Sequence, residues 1–102
     1  MITNAYLQMT AGNIAYGTAT ESKAITCVYL CNVTTGPVTV NVYVVPAGAN
    51  YVDCKVYNNL PITSEDTVIL DSERMVLGNG DAIWADCTVT NGVVMTISSM
   101  GV

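Results

Sequence analysis

Apolar and polar residues alternate along most of the chain, and this period of two predicts β-strands rather than helices. The clearest alternation lies in residues 24–33 and 38–45, where β-branched side chains recur at every second position. The turn between them, Thr34-Thr35-Gly36-Pro37, contains a glycine that tolerates positive φ and a proline that has no amide hydrogen to give. We therefore expect these two runs to pair directly as a β-hairpin.

Shorter alternating runs precede and follow this segment. Turn residues separate them at intervals of roughly 8 to 12 residues, which is typical of an all-β sandwich or a small barrel. The segment Asn58-Asn59-Leu60-Pro61 is expected to end one of these strands, and a helix over residues 71–77 competes with the strand prediction there. The predicted strands cover residues 5–10, 13–17, 51–57, 67–70, 74–77, 82–88 and 93–98, with residues 99–102 beyond the last strand.

These runs predict an all-β fold, a single small antiparallel β-sandwich, with a jelly-roll-like arrangement or a small barrel as the alternative. A chain of 102 residues has room for one domain. We expect residues 24–102 to form the sandwich and residues 1–23 to form an N-terminal arm or short edge strands. The polar residues 18–23 read as the loop that enters the sandwich.

Charge is scarce in this chain. Hydrophobic residues make up 51% of it and charged residues only 11%, which is less than half of the roughly 25% in an average soluble protein. Because contiguous exposed apolar surface usually marks interaction sites, we expect another subunit to cover part of this protein. A two-sheet core beneath a surface of Thr, Asn and Ser is the alternative explanation.

The net charge of −5 argues against two classes of partner. The only basic residues are Lys23, Lys55 and Arg74, and they are far apart in sequence. Nucleic-acid binding needs clustered basic side chains, and so does attraction to an anionic membrane surface. The chain also lacks an apolar run of about 20 residues and the pattern of a signal peptide. We therefore expect a soluble protein, made in the cytosol, that binds neither nucleic acid nor membrane.

Catalytic chemistry is not indicated. The chain has no histidine, the usual partner of a Ser or Cys nucleophile and a common zinc ligand. Most carboxylates lie in predicted turns, where water keeps them ionised. The turn Gly78-Asn79-Gly80-Asp81 lacks the alternating acidic ligands of a calcium loop. We expect no enzymatic activity, no metal and no cofactor.

The four cysteines are predicted to be buried free thiols. Cys27 and Cys31 share one face of a strand at a separation of about 13 Å, because each residue adds roughly 3.3 Å. A disulfide needs Cα atoms within about 7 Å, so this pair cannot form one. A bridge between Cys54 and Cys87 remains open from the sequence.

Aromatic residues are the candidates for a binding surface. Tyr and Trp are enriched where proteins contact each other, and they also stack on sugars. The residues that could form a sugar-stacking surface are Tyr29, Tyr43, Tyr51, Tyr57 and Trp84. The predicted interface residues are Tyr6, Tyr16, Tyr43, Tyr51, Tyr57 and Trp84.

One stretch resembles a known group of proteins. The segment Thr26-Cys27-Val28-Tyr29-Leu30-Cys31-Asn32-Val33-Thr34 is followed by Val38-Thr39-Val40-Asn41-Val42-Tyr43-Val44-Val45-Pro46. This pair of segments, with Met75-Val76-Leu77-Gly78-Asn79-Gly80-Asp81-Ala82-Ile83 later in the chain, is similar to a family of small virion structural proteins of tailed bacteriophages. Cys54 and Cys87 lie outside the shared pattern.

The resemblance implies a place in a virus particle, and it leaves the position within the particle open. The leading expectation is a capsid decoration or cement subunit, a homotrimer that binds the major capsid protein. A tail, baseplate or fibre component is the alternative in the same class. A carbohydrate-binding module is the alternative from a different class.

Overall fold

Nine β-strands and one short 3₁₀ turn make up the secondary structure of residues 2–17, 22–70 and 75–101, which the computed structural model describes. The turn covers Tyr51–Asp53, and no helix in these residues is long and apolar enough to cross a membrane. The strands are β1 (Ile2–Tyr6), β2 (Gly12–Tyr16), β3 (Lys23–Asn32), β4 (Val38–Val45), β5 (Lys55–Ile62), β6 (Thr67–Leu70), β7 (Met75–Leu77), β8 (Ala82–Cys87) and β9 (Val93–Gly101).

The strands form two sheets that pack against each other. Sheet A has the spatial order β1-β9-β3-β6, and β7 also pairs with β3. Sheet B has the order β2-β8-β4-β5. Every pairing between these strands is antiparallel. The predicted all-β sandwich is therefore confirmed.

The topology is that of a jelly roll, which the sequence offered as an alternative. Strands pair in a nested series, β4 with β5, β3 with β6 and β7, β2 with β8, and β1 with β9. The chain is thus one long antiparallel ribbon folded back at residues 46–54. Rolling the ribbon places β9 beside β3 and β8 beside β4, which divides it into two sheets.

The predicted hairpin between residues 24–33 and 38–45 is wrong. β3 belongs to sheet A and β4 to sheet B, so residues 33–37 cross from one sheet to the other. Both strands turn apolar side chains toward the interior, for example Leu30 and Val40, each with 0% exposure. When β3 and β4 lie in opposite sheets, these side chains face each other across the core and are buried. If the two strands paired as a hairpin, the side chains would lie next to each other in one sheet and would not cover each other.

Asn32, at the end of β3, holds this crossing in place. Its side chain is 1% exposed, and its Nδ2 donates to the carbonyl oxygens of Gly36 at 2.9 Å and Ile62 at 3.1 Å. Its Oδ1 accepts from the Thr34 N–H at 2.9 Å. One buried amide therefore joins the crossing after β3 to the crossing after β5.

Several strand boundaries differ from the predicted ones. Residues 51–53, expected to begin a strand, form the 3₁₀ turn, in which Asn50 Oδ1 accepts from the Val52 N–H at 3.3 Å. The strand does not end at residues 58–61. Instead β5 continues to Ile62 through a bulge at Asn59, whose φ is 54°. The last strand also runs further than predicted, to Gly101.

The predictions for residues 18–21 and 71–74, a loop, a turn and the start of the competing helix, lie outside the described residues. The rest of that predicted helix, residues 75–77, is strand β7. Residues 2–17 supply β1 and β2, each at one edge of a sheet. Leu7, which follows β1, is 1% exposed and belongs to the core.

A bulge in β3 decides which face of this strand is inside. The register with β9 shifts between Ile25 and Cys27, so Thr26 is the extra residue. Ile25 therefore faces the core together with Val28 and Leu30 instead of facing outward with the cysteines. The other fully buried inner positions are Val40, Ile62, Leu77, Ile83, Val93, Met95 and Ile97.

The expectation of four buried thiols is wrong for three of them. All four cysteines are free, but only Cys87 is buried, while Cys27, Cys31 and Cys54 are half-buried. Cys87 lies opposite Val40 of β4, whereas the Cys54 carbonyl accepts from Val44, four residues further along. This offset is about 13 Å along a strand, so Cys54 and Cys87 do not form the bridge left open by the sequence.

Candidate functional site

The outward side of sheet A carries no charged side chain among the described residues. We call this surface the uncharged face. It comprises the outward residues of β1, β9, β3, β6 and β7, assigned from strand register and from the alternation of burial along each strand. They are Ile2, Asn4, Tyr6, Val94, Thr96, Ser98, Met100, Ala24, Cys27, Tyr29, Cys31, Thr67, Ile69 and Val76.

Large apolar side chains on this face are open to solvent. The exposed fraction is 73% for Ile2, 60% for Val76, 57% for Met100 and 53% for Ile69. Ile69 lies directly opposite Tyr29, Val76 and Met100 lie on either side of Ala24 at the start of β3, and Ile2 lies on the edge strand β1. Several large exposed apolar side chains on one uncharged sheet surface are typical of a site where another macromolecule binds.

Sheet B has a different outer surface, built around three aromatic rings that we call the aromatic cluster: Tyr43, Tyr51 and Trp84. The register places Tyr43 of β4 directly opposite Trp84 of β8. Tyr51, from the 3₁₀ turn, stacks on Trp84 with centroids 4.9 Å apart and planes 6° apart. It meets Tyr43 edge-on at 5.4 Å and 86°. The turn thus folds an aromatic cover over the sheet.

Polar side chains on the same side of sheet B form a hydrogen-bond network beside the aromatic cluster. Asp86 accepts a hydrogen bond from the Tyr43 hydroxyl at 2.6 Å and another from Asn41 Nδ2 at 2.8 Å. Asn41 Oδ1 in turn accepts from the Asn59 N–H at 2.9 Å. Lys55 Nζ lies 5.7 Å from the centroid of the Tyr43 ring. These groups are paired with one another, and the network ties β8, β4 and β5 together.

Burial is the largest cause that raises the pKa of Tyr43, from 10.0 to about 12. The hydrogen bond to Asp86 and the negative charge of that carboxylate add to the effect, because both favour the protonated hydroxyl. Tyr43 therefore stays neutral throughout the physiological range. It acts as a fixed hydrogen-bond donor and not as an acid or a base.

The apolar cavity between the sheets of the described residues is too small for a ligand. An apolar cavity of about 30 Å³ lies among Val28, Val42, Val44, Leu70 and their neighbours. Small-molecule pockets usually enclose roughly 300–1,000 Å³. In the part of the chain that the structure describes, no three Cys, Asp or Glu side chains lie close enough to hold a metal ion. The candidate surfaces are therefore the two outer faces.

Comparisons of the chain with protein-family models, with curated protein sequences and with solved structures found no match.

The structure separates the six predicted interface residues. Tyr6 lies on the uncharged face with 56% exposure, and Tyr16 lies on β2, 55% exposed, with Lys23 Nζ 5.6 Å from its ring centroid. Tyr57 packs against the core instead of facing solvent. The remaining three, Tyr43, Tyr51 and Trp84, are brought together in the aromatic cluster, but Tyr43 is only 5% exposed beneath the other rings.

Sequence reasoning did not name the exposed aliphatic residues of the uncharged face: Ile2, Ile69, Val76 and Met100. A signal for them is present in the sequence. The strands of sheet A contain one charged residue, Lys23, in all their described length, and its position opposite Leu77 puts it on the inward side. Alternation of this kind is typical of a sheet with one solvated face, and the lack of outward charge is the signal that this face is unusual.

Proposed function

We propose that this protein is a structural subunit of a tailed-phage virion, and specifically a capsid decoration or cement protein that binds the outer surface of the major capsid protein lattice. It works by binding, not by catalysis. A tail, baseplate or fibre subunit is the alternative within the same class.

The observation that carries the proposal is the uncharged face. Exposed apolar side chains on four strands of one sheet give the chain a surface suited to a protein partner. The jelly roll supports the proposal because viral capsid domains are among the proteins that use this architecture. Two of the segments that resemble phage virion proteins form β3 and β4, which lie inside the two sheets, and the third covers β7 and the start of β8.

Mass spectrometry of purified virions from the virus that encodes the chain tests this proposal. A decoration protein should be present at a copy number comparable to that of the major capsid protein, and labelled chain should sediment with isolated capsids that lack it. A copy number of a few per particle, with binding to isolated tails only, would favour the tail alternative. Absence of the chain from intact virions would refute the virion role.

A carbohydrate-binding role has one observation in its favour, the outer side of the Tyr51 ring in the aromatic cluster. Sugar sites combine such a ring with polar groups that are free to bind hydroxyls. Here Asp86 and Asn41 already bind Tyr43, each other and Asn59. The sugar role is therefore the weaker proposal, and loss of glycan binding in Tyr51→Ala would support it.

A further inference from the structure

We propose that the uncharged face binds a second copy of this chain, with the two faces opposed across a two-fold axis. The inference rests on the proposed structural role and names a first partner for the surface that supports it. Such a dimer would be a stack of four sheets, in which sheet A of each copy becomes an inner layer.

The distribution of charge favours this partner. Each copy carries a net charge of −5, so contact between two copies is opposed by repulsion unless the acidic groups are kept apart. Asp86 lies on the outer side of sheet B and Asp53 lies in the 3₁₀ turn that covers the same side. Opposing the uncharged faces places these two of the eight acidic side chains on the two far surfaces of the dimer.

The polar groups on the uncharged face are compatible with self-association. Between the apolar residues this face presents Asn4, Thr67, Thr96 and Ser98, whose side chains can each donate and accept a hydrogen bond. Groups that both donate and accept can meet their own copies without opposing two donors or two acceptors. A two-fold interface requires this self-complementarity, because the same patch serves both subunits.

The two-fold arrangement is favoured over the homotrimer expected from the sequence. A three-fold ring joins two different surfaces of each subunit. The other large surface, the outer side of sheet B, contains Asp86 and Lys55, and an uncharged partner would remove water from both without replacing its hydrogen bonds. The uncharged face has no such cost when it meets itself.

The size of the face predicts the strength of the dimer. Four strands at a spacing of about 4.8 Å, with outward residues spanning about 23 Å along β3, cover on the order of 500 Å² on each copy. The total of about 1,000 Å² is at the low end for a specific interface. We therefore expect a reversible dimer and not an obligate one.

Sedimentation across the micromolar range tests the proposal. The wild-type chain should pass from monomer to dimer, and Ile69→Glu should weaken the dimer by at least about 100-fold, because the two-fold axis places two new charges in one interface. Val76→Glu, on β7, is a second disrupting variant if the first fails to fold. Val52→Glu is the matched control, since Val52 is 56% exposed on the opposite side and should leave the dimer unchanged.

The native cysteines provide a second readout with a control in the same chain. Alkylation of Cys27 and Cys31, on the uncharged face, should slow as the dimer forms, while alkylation of Cys54, on the far side, should not change. A chain that stays monomeric, forms trimers, or labels Cys27 and Cys31 equally fast in both states would overturn the inference. A monomer that binds capsids would overturn the dimer alone, whereas a dimer absent from virions would overturn the proposed function alone.

Discussion

Asp86 uses both of its carboxylate oxygens to join β8 to β4 on the outer side of sheet B, through Tyr43 and Asn41. The Tyr51 ring meets the Tyr43 ring edge-on, and Tyr43 is only 5% exposed. Hydrogen bonds to a charged group in partly buried surroundings contribute more than those between neutral groups. The aromatic cluster is therefore structural: Asp86 fixes Tyr43, and the contacts of Tyr51 with Tyr43 and Trp84 hold the 3₁₀ turn against the sheet.

The raised pKa of Tyr43 makes stability depend on pH in the alkaline range. Below pH 10 the hydroxyl is protonated in both folded and unfolded chains, so its full contribution is present. Between pH 10 and about 12 the unfolded chain ionises first, and the free energy of unfolding should fall. Tyr43→Phe should lower this free energy by about 2 kcal/mol at neutral pH. It should also remove the part of the alkaline decline that Tyr43 causes.

Ultraviolet titration of tyrosinate and urea unfolding at several pH values measure these two effects. The matched control is Tyr16→Phe, because Tyr16 is 55% exposed and lies outside both the aromatic cluster and the uncharged face. That variant should unfold like the wild type at neutral pH. If Tyr43→Phe loses as much stability as the wild type between pH 10 and 12, the assignment of the raised pKa to Tyr43 is wrong.

The sequence identified Tyr43, Tyr51 and Trp84 as candidate surface residues, but it did not predict that the three rings contact one another. Alternation puts Tyr43 on the face of β4 opposite to Val42, as observed. Only the register with β8 brings Trp84 beside Tyr43, and no local pattern encodes that register. Tyr51 was assigned to a strand because its segment alternates, although Asn50 is a local signal for the turn, since its side chain accepts from the Val52 N–H.

Strand segments were predicted better than strand partners. Residues 38–45 and 67–70 form the expected strands, because turn residues and β-branched alternation coincide there. The short turn at Thr34–Pro37 suggested a hairpin, yet the same length of chain also spans the gap between two packed sheets. Hydrophobic alternation states which side chains share a face, but it does not state which strand lies alongside.

A close backbone approach at the end of β2 holds one corner of the sandwich. The Gly17 N–H donates to the Asp81 carbonyl at 2.9 Å, and the Gly17 carbonyl accepts from the Gly80 N–H at 3.1 Å. Asp81 also accepts from the N–H groups of Ala47 and Gly78, both at 2.9 Å. The end of β2 and the loops after β4 and β7 therefore meet at one point.

Gly17→Ala should disrupt this corner. A Cβ at position 17 would overlap the backbone carbonyl oxygens of Leu77 and Gly78, and the backbone cannot move without breaking the hydrogen bonds around Asp81. We expect a loss of about 2 kcal/mol in the free energy of unfolding, measured by chemical denaturation. Gly12→Ala, in the same strand, is the control, because a Cβ there meets nothing within 4 Å. Equal stability of the two variants would contradict the close approach.

The rolled ribbon gives the whole molecule two unlike outer surfaces. The outer side of sheet B carries Asp86 and the aromatic cluster, and the uncharged face of sheet A carries no charge among its described side chains. Low overall charge in the sequence predicted a covered surface, but composition could not place it. The bulge at Thr26 decides its location, because it turns Ile25 inward and leaves Cys27, Tyr29 and Cys31 outside.

The shape of the dimer follows from which surface joins the copies. One copy measures 41 × 25 × 21 Å with a radius of gyration of 13.0 Å. The ten residues of β3 alone span about 33 Å, so the long dimension runs along the strands and the uncharged face lies parallel to it. If the uncharged faces are opposed, the centres of the two copies lie about 21 Å apart, which is the shortest dimension of one copy. The square of the dimer's radius of gyration is the square of one copy's radius of gyration plus the square of half this distance. Small-angle scattering should therefore give a radius of gyration of about 17 Å for the dimer. Copies joined end to end along the strands would give about 24 Å. That larger value, in a dimer that Val52→Glu preserves, would place the contact elsewhere and exclude the uncharged face as its site.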